Sequence, residues 1–304
     1  GRRGSVQLFV HSHSGDVDRD RLLSVAGWAD ISEPASRHAR VDAQTAPVRF
    51  GDIELGGEAA PVLMAGPCSV ESEQRIHDVA GRLAAIGIRF LRGGAYKPRT
   101  SPYDFQGVGT DALSWLREAA DANDLLVVTE ALSESSVDRV AAVADLIQIG
   151  SRNMHNGALL DAAGRTGRPV LVKRGMAATV EEWLSAGEYC LAGGAPAVVF
   201  CERGIRSFDD RTRNLLDLGS VALLRHVHGL PVIVDPSHGL GRRDLIPHLS
   251  RAAIAAGAAG LLIEVHPEPD RALSDGPQAV TFEEIGTLAR ELQAEAPFAV
   301  SATG

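Results

Sequence analysis

The stretch Ile88-Arg-Phe-Leu-Arg-Gly-Gly-Ala-Tyr-Lys-Pro-Arg-Thr-Ser-Pro-Tyr-Asp-Phe-Gln-Gly107 decides how the rest of the chain is read. A short apolar run, Ile88–Leu91, ends in a loop that carries Arg92, Lys97 and Arg99. Gly93, Gly94, Pro98 and Pro102 stop a strand or helix from continuing through it. Three cations so close together repel one another unless an anion sits among them. A solvated basic turn is the ordinary alternative. Against it stands the position, directly after a buried-looking strand, where α/β proteins place their ligands.

Outward from this stretch the same unit repeats. Apolar runs fall at Pro61–Ala65, Ile88–Leu91, Leu125–Thr129, Leu146–Ile149, Val170–Val172, Ala197–Cys201, Val232–Val234 and Gly260–Ile263. Helix-like segments follow at Ser72–Ile86, Thr110–Ala122, Ser133–Ala144, Asn156–Gly164, Thr179–Gly193, Arg213–His228, Asp244–Gly257 and Thr281–Glu295. Ser, Thr, Asn or Asp opens many of them and glycine closes several, as helix capping requires. The runs are apolar throughout rather than alternating, which marks a parallel sheet covered by helices. Eight such units in about 235 residues predict a (β/α)8 TIM barrel. An open doubly wound sheet is the alternative, but no Gly-x-Gly-x-x-Gly follows the first run.

Ahead of the barrel, Val48–Leu55 alternates around Gly51-Asp52 and predicts a β-hairpin. Residues 1–47 read as a short N-terminal extension, with a strand at Val6–Val10 and a helix over Asp18–Ala29. The expected organisation is therefore extension 1–47, catalytic barrel with its preceding hairpin 48–296, and C-terminal tail 297–304.

Composition narrows the function. At 304 residues with 45 % apolar content, the chain buries a core without disulfide staples. Its three cysteines, Cys68, Cys190 and Cys201, are too few and too scattered for an oxidised framework, which points to a reducing, cytoplasmic setting. No apolar run reaches membrane-spanning length. A net charge of −9 speaks against non-specific nucleic-acid binding, and makes the local cationic loop the more telling.

Chemistry in such a barrel gathers at the carboxyl ends of the strands. Nearly every run here ends in polar or ionisable groups: Cys68, Arg92, Glu130, Gln148 with Arg152, Lys173 with Arg174, Glu202 with Arg203, Asp235 with His238, and Glu264 with His266. Arg92, Lys97, Arg152, Lys173 and Arg203 form a cationic set suited to phosphate and carboxylate. Cys68, His238 and Glu264, joined by Asp275 from the loop after the eighth run, offer a thiolate, an imidazole and two carboxylates for a divalent metal. Each alone has an ordinary explanation: a buried hydrophobe, a brace for a turn, an arginine's partner, a helix cap. Their shared placement at adjoining strand ends argues for the metal. Cys190 and Cys201 keep the structural reading.

These residues lie in strings that occur together in one order: Ala65-Gly-Pro-Cys-Ser-Val-Glu-Ser72, Arg92-Gly-Gly-Ala-Tyr-Lys-Pro-Arg-Thr-Ser101, Gln148-Ile-Gly-Ser-Arg-Asn153, Val172-Lys-Arg-Gly175, Cys201-Glu-Arg-Gly204, Asp235-Pro-Ser-His238, Ile263-Glu-Val-His266 and Leu273-Ser-Asp-Gly-Pro-Gln278. From about Val48 to Ala289 the chain resembles the 3-deoxy-D-arabino-heptulosonate 7-phosphate (DAHP) synthases of type I, beta subfamily. The Lys-Pro-Arg-Thr-Ser string separates it from the sister 3-deoxy-octulosonate 8-phosphate synthases, which share much of the rest.

The resemblance implies a transferase of the shikimate pathway and aromatic amino acid biosynthesis, with phosphoenolpyruvate and erythrose 4-phosphate as substrates. It implies metal ligation by Cys68, His238, Glu264 and Asp275, with Mn2+ foremost and Co2+, Fe2+ or Zn2+ as alternatives. Phosphoenolpyruvate falls to Arg92, Lys97, Arg152, Lys173 and Arg203, and the aldose phosphate to Arg99, Thr100 and Ser101. Lys97 and His266 are the expected proton carriers. A homo-oligomer, dimer or tetramer, is expected, without nucleic-acid or membrane partners. The extension looks too short for a regulatory domain, so weak or absent inhibition by aromatic amino acids and chorismate-pathway products is expected. Three departures stand out: Leu215 in place of a threonine, His155 where glutamine is commoner, and Gly239-Leu240 where Ala-Thr is usual. None removes a ligand. The competing readings are a related phosphoenolpyruvate–aldose phosphate synthase, acting on a modified tetrose or making 3-deoxy-octulosonate 8-phosphate, a Schiff-base aldolase built on Lys173, and a barrel that binds a phosphorylated metabolite without turnover.

Overall fold

The computed structural model describes Arg21, Ser24, residues 36–97, Ser101 and residues 103–295, with side chains as far as Leu292. The strand expected at Val6–Val10, most of the helix expected over Asp18–Ala29, the tail 297–304, and Arg99 and Thr100 lie outside the described residues. The chain divides into two compact units, Gly1–Ser36 and Arg37–Gly304. In the first, the Ser24 hydroxyl donates to the Arg21 carbonyl at 2.6 Å.

The second unit is the expected barrel. After a hairpin of β1 (Val48–Phe50) and β2 (Ile53–Leu55) come β3 (Val62–Gly66), β4 (Phe90–Arg92), β5 (Leu126–Ala131), β6 (Leu146–Ile149), β7 (Val170–Lys173), β8 (Val198–Glu202), β9 (Val232–Val234) and β10 (Gly260–Glu264). Each of β3 to β10 runs parallel to its sequence neighbour, and β10 pairs back onto β3 with Gly260 opposite Val62 and Glu264 opposite Gly66. Closure leaves no open edge, which is why these short strands are stable without polar edge protection.

Side chains alternate across a strand, and that parity builds the interior. Met64, Phe90, Val128, Leu146, Leu171, Val199, Ile233 and Leu262 point inward and pack into one apolar cluster. Their neighbours Ala65, Leu91, Val127, Ile147, Val172, Phe200, Val232 and Leu261 point outward, under the helices. Val48, Phe50 and Leu55 of the hairpin join the inner cluster and plug the barrel at the amino ends of its strands. Phe50 meets Phe90 edge to face, with ring centroids 5.3 Å apart. The hairpin turns at Gly51, whose φ of +60° is the conformation a tight two-residue turn demands at its first central position.

The helices follow local chemistry. Ser72 caps Glu73–Ala85 by accepting from the Arg75 N–H, and Thr179 with Glu182 forms a capping box at the start of Val180–Gly193. One expectation needs correction. The helix predicted from Arg213 to His228 begins only at Leu218, where Asp217 accepts from the Ser220 N–H, and it widens to an i→i+5 turn over Leu223–Val227. Residues 213–215 are committed elsewhere: the Arg213 and Asn214 N–H groups donate to Leu240 and Gly239 carbonyls, and Leu215 pairs with Ile205. Apolar content alone concealed this from the sequence.

Residues 37–47, ahead of the hairpin, carry the short helix Ala39–Asp42. Glu188 accepts from the Arg40 and Val41 N–H groups at 2.9 and 3.0 Å, and Gln44 exchanges two hydrogen bonds with the Val198 backbone. These contacts fasten the segment to Val180–Gly193 and to the amino end of β8.

Candidate active site and metal centre

The inward parity that places apolar residues in the lower barrel places polar and charged groups two residues further on. Arg92 follows Phe90 by two, Glu130 follows Val128, Gln148 follows Leu146, Lys173 follows Leu171, Asp235 follows Ile233 and Glu264 follows Leu262. One cavity at this end is lined by Arg92, Lys97, Arg152, Lys173, Arg203 and Arg213, together with Glu130, His238 and Asp275. The five expected cations thus share one mouth. Arg213, which sequence reasoning left out, is a sixth. Its signal was available in the Arg213-Asn-Leu-Leu-Asp217 string, misread there as helix.

The four expected metal ligands also meet. Their donor atoms all lie within 4.8 Å of one another. The Cys68 thiol donates to Asp275 Oδ2 at 3.0 Å, and His238 Nε2 stands 3.3 Å from Glu264 Oε1. Cys68 reaches this point because Gly66 lets the chain turn sharply at the end of β3: its φ is +149°, and a Cβ there would stand 2.0 Å from the Arg92 carbonyl oxygen. His238 sits on the short helix Pro236–Leu240, capped by Asp235, whose Oδ1 accepts from the His238 N–H at 2.9 Å. Asp235 Oδ2 is 2.7 Å from His238 Nδ1, which leaves Nε2 directed at the acids. The same Asp235 is the partner of Lys173 Nζ, so one buried carboxylate braces both a cation and a ligand. Asp275 adopts the left-handed region at φ +55°, uncommon for a residue with a side chain.

The electrostatics suit a divalent ion. Burial holds His238 below its ordinary pKa despite Asp235 and Glu264, so its ring is neutral near pH 7, the form that ligates metals. Burial works against the Glu264 charge, and His238, Arg92 and Lys97 overcome it, drawing its pKa down to about 2. Arg92 Nη1 donates to Glu264 Oε1 at 2.7 Å. Burial and then Glu264 push the Cys68 thiol up to about 12. A thiol this protonated becomes a thiolate only beside a cation stronger than the lysine present. Two carboxylates, a neutral imidazole and a buried thiol within one small radius therefore fit a divalent metal.

The other expected residues fall differently. Ser101 accepts from the Tyr103 N–H at 3.3 Å, while Arg99 and Thr100 lie outside the described residues. His266 does not line the cavity: its Nδ1 accepts from the Glu268 N–H at 3.0 Å, and its Nε2 faces Glu71 at 3.5 Å. His266 shares the parity of Glu264 but lies past the end of β10, where its ring turns to Glu268 and Glu71. Arg174, next to Lys173, turns outward to Glu202, Asp217 and Ser220 at 2.8 to 3.0 Å and braces the barrel wall.

Comparison with known proteins shows the family to which this barrel belongs. The family model described as the DAHP synthetase I family matches residues 34–297. A phospho-2-dehydro-3-deoxyheptonate aldolase of Thermotoga maritima is 50 % identical over 246 residues, covering 81 % of this chain and 72 % of that protein. A 2-dehydro-3-deoxyphosphooctonate aldolase of Nitrosococcus oceani is 36 % identical, covering 75 % of this chain and 86 % of that protein. The crystal structure of the Thermotoga maritima DAHP synthase superposes with a TM-score of 0.80 at 48 % identity, covering 84 % of this chain and 74 % of that one. A truncated form of the Thermotoga enzyme gives 0.78 at 47 % identity, covering 84 % and 93 %. With its family match spanning nearly all of the barrel, this chain belongs to the DAHP synthetase I family.

Proposed function

We propose that this barrel joins phosphoenolpyruvate to erythrose 4-phosphate, releasing DAHP and inorganic phosphate, as the first step of the shikimate pathway. The observation that carries the reading is the meeting of a Cys–His–Glu–Asp group with an arc of cations over one cavity. Arg92, Arg152, Lys173 and Arg203 take the phosphate and carboxylate of phosphoenolpyruvate, arginine forks gripping two oxygens at once. Arg99, Thr100 and Ser101 receive the aldose phosphate. Cys68, His238, Glu264 and Asp275 hold a divalent ion, Mn2+ first and Co2+, Fe2+ or Zn2+ as alternatives. When bound, it supplies Lewis-acid polarisation of the aldehyde oxygen.

What the chain's own residues do is orient and neutralise. Two polyanions are brought face to face, an orientation effect worth about 7 kcal/mol or more. The methylene carbon of phosphoenolpyruvate attacks the aldehyde carbon, water adds at C2, and phosphate leaves. Lys97, lining the cavity and held by its Nζ to the Cys68 carbonyl oxygen at 2.7 Å, is the proton carrier for this sequence. Lys173 serves as an anion-binding cation rather than a Schiff-base nucleophile, a role supported by its pairing with Asp235. The same reading carries a cytoplasmic homo-oligomer, dimer or tetramer, whose size sedimentation measures.

The 36 % identity to a phosphooctonate aldolase favours one second reading, use of the longer arabinose 5-phosphate. Phosphate release from phosphoenolpyruvate, measured with Mn2+ and each aldose phosphate in turn, tests both. Turnover is expected with erythrose 4-phosphate and not without metal. Preference for arabinose 5-phosphate would establish the second reading, and binding without turnover of either would leave a non-catalytic barrel.

A further inference from the structure

Glu71 lies in the turn after β3, three residues beyond Cys68, and its side chain is only 5 % exposed. A glutamate at the start of a surface helix is ordinarily solvated; this one is turned inward and shared among three partners. Its Oε1 accepts from the Leu273 N–H at 2.7 Å. Its Oε2 pairs with Arg75 and faces His266 Nε2 at 3.5 Å. His266 Nδ1 accepts from the Glu268 N–H, so the neutral ring carries its proton on Nε2, toward Glu71. That nitrogen is fully buried, with no closer hydrogen-bond partner among the described residues.

We propose that Glu71 is a positioning residue: backed by His266, it pins the loop through Leu273 so that Asp275 faces Cys68. His266 holds the start of this loop through Glu268 and Glu71 holds its end through Leu273. Two residues beyond the second pin, Asp275 sits in the left-handed region, a conformation that a side-chain-bearing residue keeps only when its surroundings impose it. Ser274, between them, brings its hydroxyl 3.1 Å from the Cys68 thiol. Glu71 and Cys68 share one turn, so the clip ties the loop of one ligand to the loop of another. In this proposal His266 acts as a brace for the loop.

The inference rests on the reading of Cys68, His238, Glu264 and Asp275 as a cation site, and the experiment separates the two. In the metal-free protein, amide hydrogen exchange at Leu273 reports the clip directly; in the loaded protein, chelator competition reports Mn2+ affinity. Glu71→Ala is expected to speed exchange at Leu273 and to weaken Mn2+ binding by roughly 10- to 100-fold, the usual cost of losing an outer partner. Glu71→Gln, whose amide oxygen still accepts from Leu273, restores most of both. Arg75→Ala, which removes only the ion pair, leaves both unchanged. Leu273→Pro deletes the donated N–H without touching Glu71. Leu273 is 55 % exposed and Ala272 before it is already extended, so proline is accommodated there and the variant decides the matter if Glu71→Ala does not fold. Its Mn2+ affinity is expected to fall as for Glu71→Ala. Wild-type exchange and affinity in folded Glu71→Ala, wild-type affinity in folded Leu273→Pro, or a Glu71→Gln no better than alanine, overturns the proposal. A wild-type protein that takes no Mn2+ refutes the cation site, and the exchange measurement then settles the clip by itself.

Discussion

The lower and upper halves of the barrel interior are made by the same strand faces, two residues apart, yet they have opposite chemistry. Below, Phe90, Leu146, Leu171, Ile233 and Leu262 close on the hairpin plug with no polar atom among them. Above, Arg92, Gln148, Lys173, Asp235 and Glu264 continue the same inward rows. Arg92, Lys173 and Glu264 are each at most 4 % exposed and Asp235 not at all, so they are desolvated at a cost that only close pairing offsets. The pairings are Arg92 with Glu264 and Lys173 with Asp235. A protein selected only for stability would extend the apolar layer upward. The comparison teaches that the lower layer contributes the stability that the upper layer spends on function.

Measurements on variants of each half test that contrast. The largest effect is expected from metal removal: a strong chelator abolishes turnover, Mn2+ restores it, and the far-ultraviolet circular dichroism stays unchanged because the plug is untouched. In the lower half, Phe90→Ala should lower the unfolding free energy by about 3–5 kcal/mol in urea titrations while the turnover of the folded fraction persists. Cys68→Ser, in the upper half, should do the reverse. It lowers turnover on the order of 100-fold through weakened ion binding, as a hydroxyl is a poorer ligand than a thiolate. Unchanged rates in metal-buffered enzyme would remove Cys68 from the site. Gln44→Ala, beneath the barrel, loses two hydrogen bonds to Val198 and should cost about 1–2 kcal/mol of stability with no kinetic effect.

The smallest effect concerns pH. The folded pKa of Glu264, about 2, lies below its ordinary value of 4.5. A depressed carboxylate contributes stability that is fully present above its unfolded pKa and lost as pH falls through the folded one. The urea midpoint of the metal-free protein should therefore decline between pH 4.5 and about 2. Glu264→Gln should flatten that decline; an identical slope in the variant would show that other carboxylates set it.

How much of this could be read without coordinates depends on how local the cause is. The eight strands appear within a residue or two of their expected bounds, because largely apolar runs of three to five residues between capped helices admit few other structures. Cys68, Arg92, Lys173, His238 and Glu264 were found from their place just past those runs. Arg213–Asp217 was misassigned because its fate depends on pairing with Ile205, Gly239 and Leu240, which are remote or on another segment. Arg174 and Lys173 are adjacent and alike in charge, yet one lines the cavity and the other braces the wall, a distinction that strand parity alone makes.

Order, spacing and side-chain type along the chain therefore determined the barrel, the rows that face inward and the residues offered at its mouth, since periodicity and capping act over a few residues. The register of β10 on β3, the turn of Asp275 toward Cys68, the double use of Asp235 and the burial of Glu71 were decided only in three dimensions. These contacts join residues separated by up to about two hundred positions, and their energies exist only once the apolar core has brought the strand ends together.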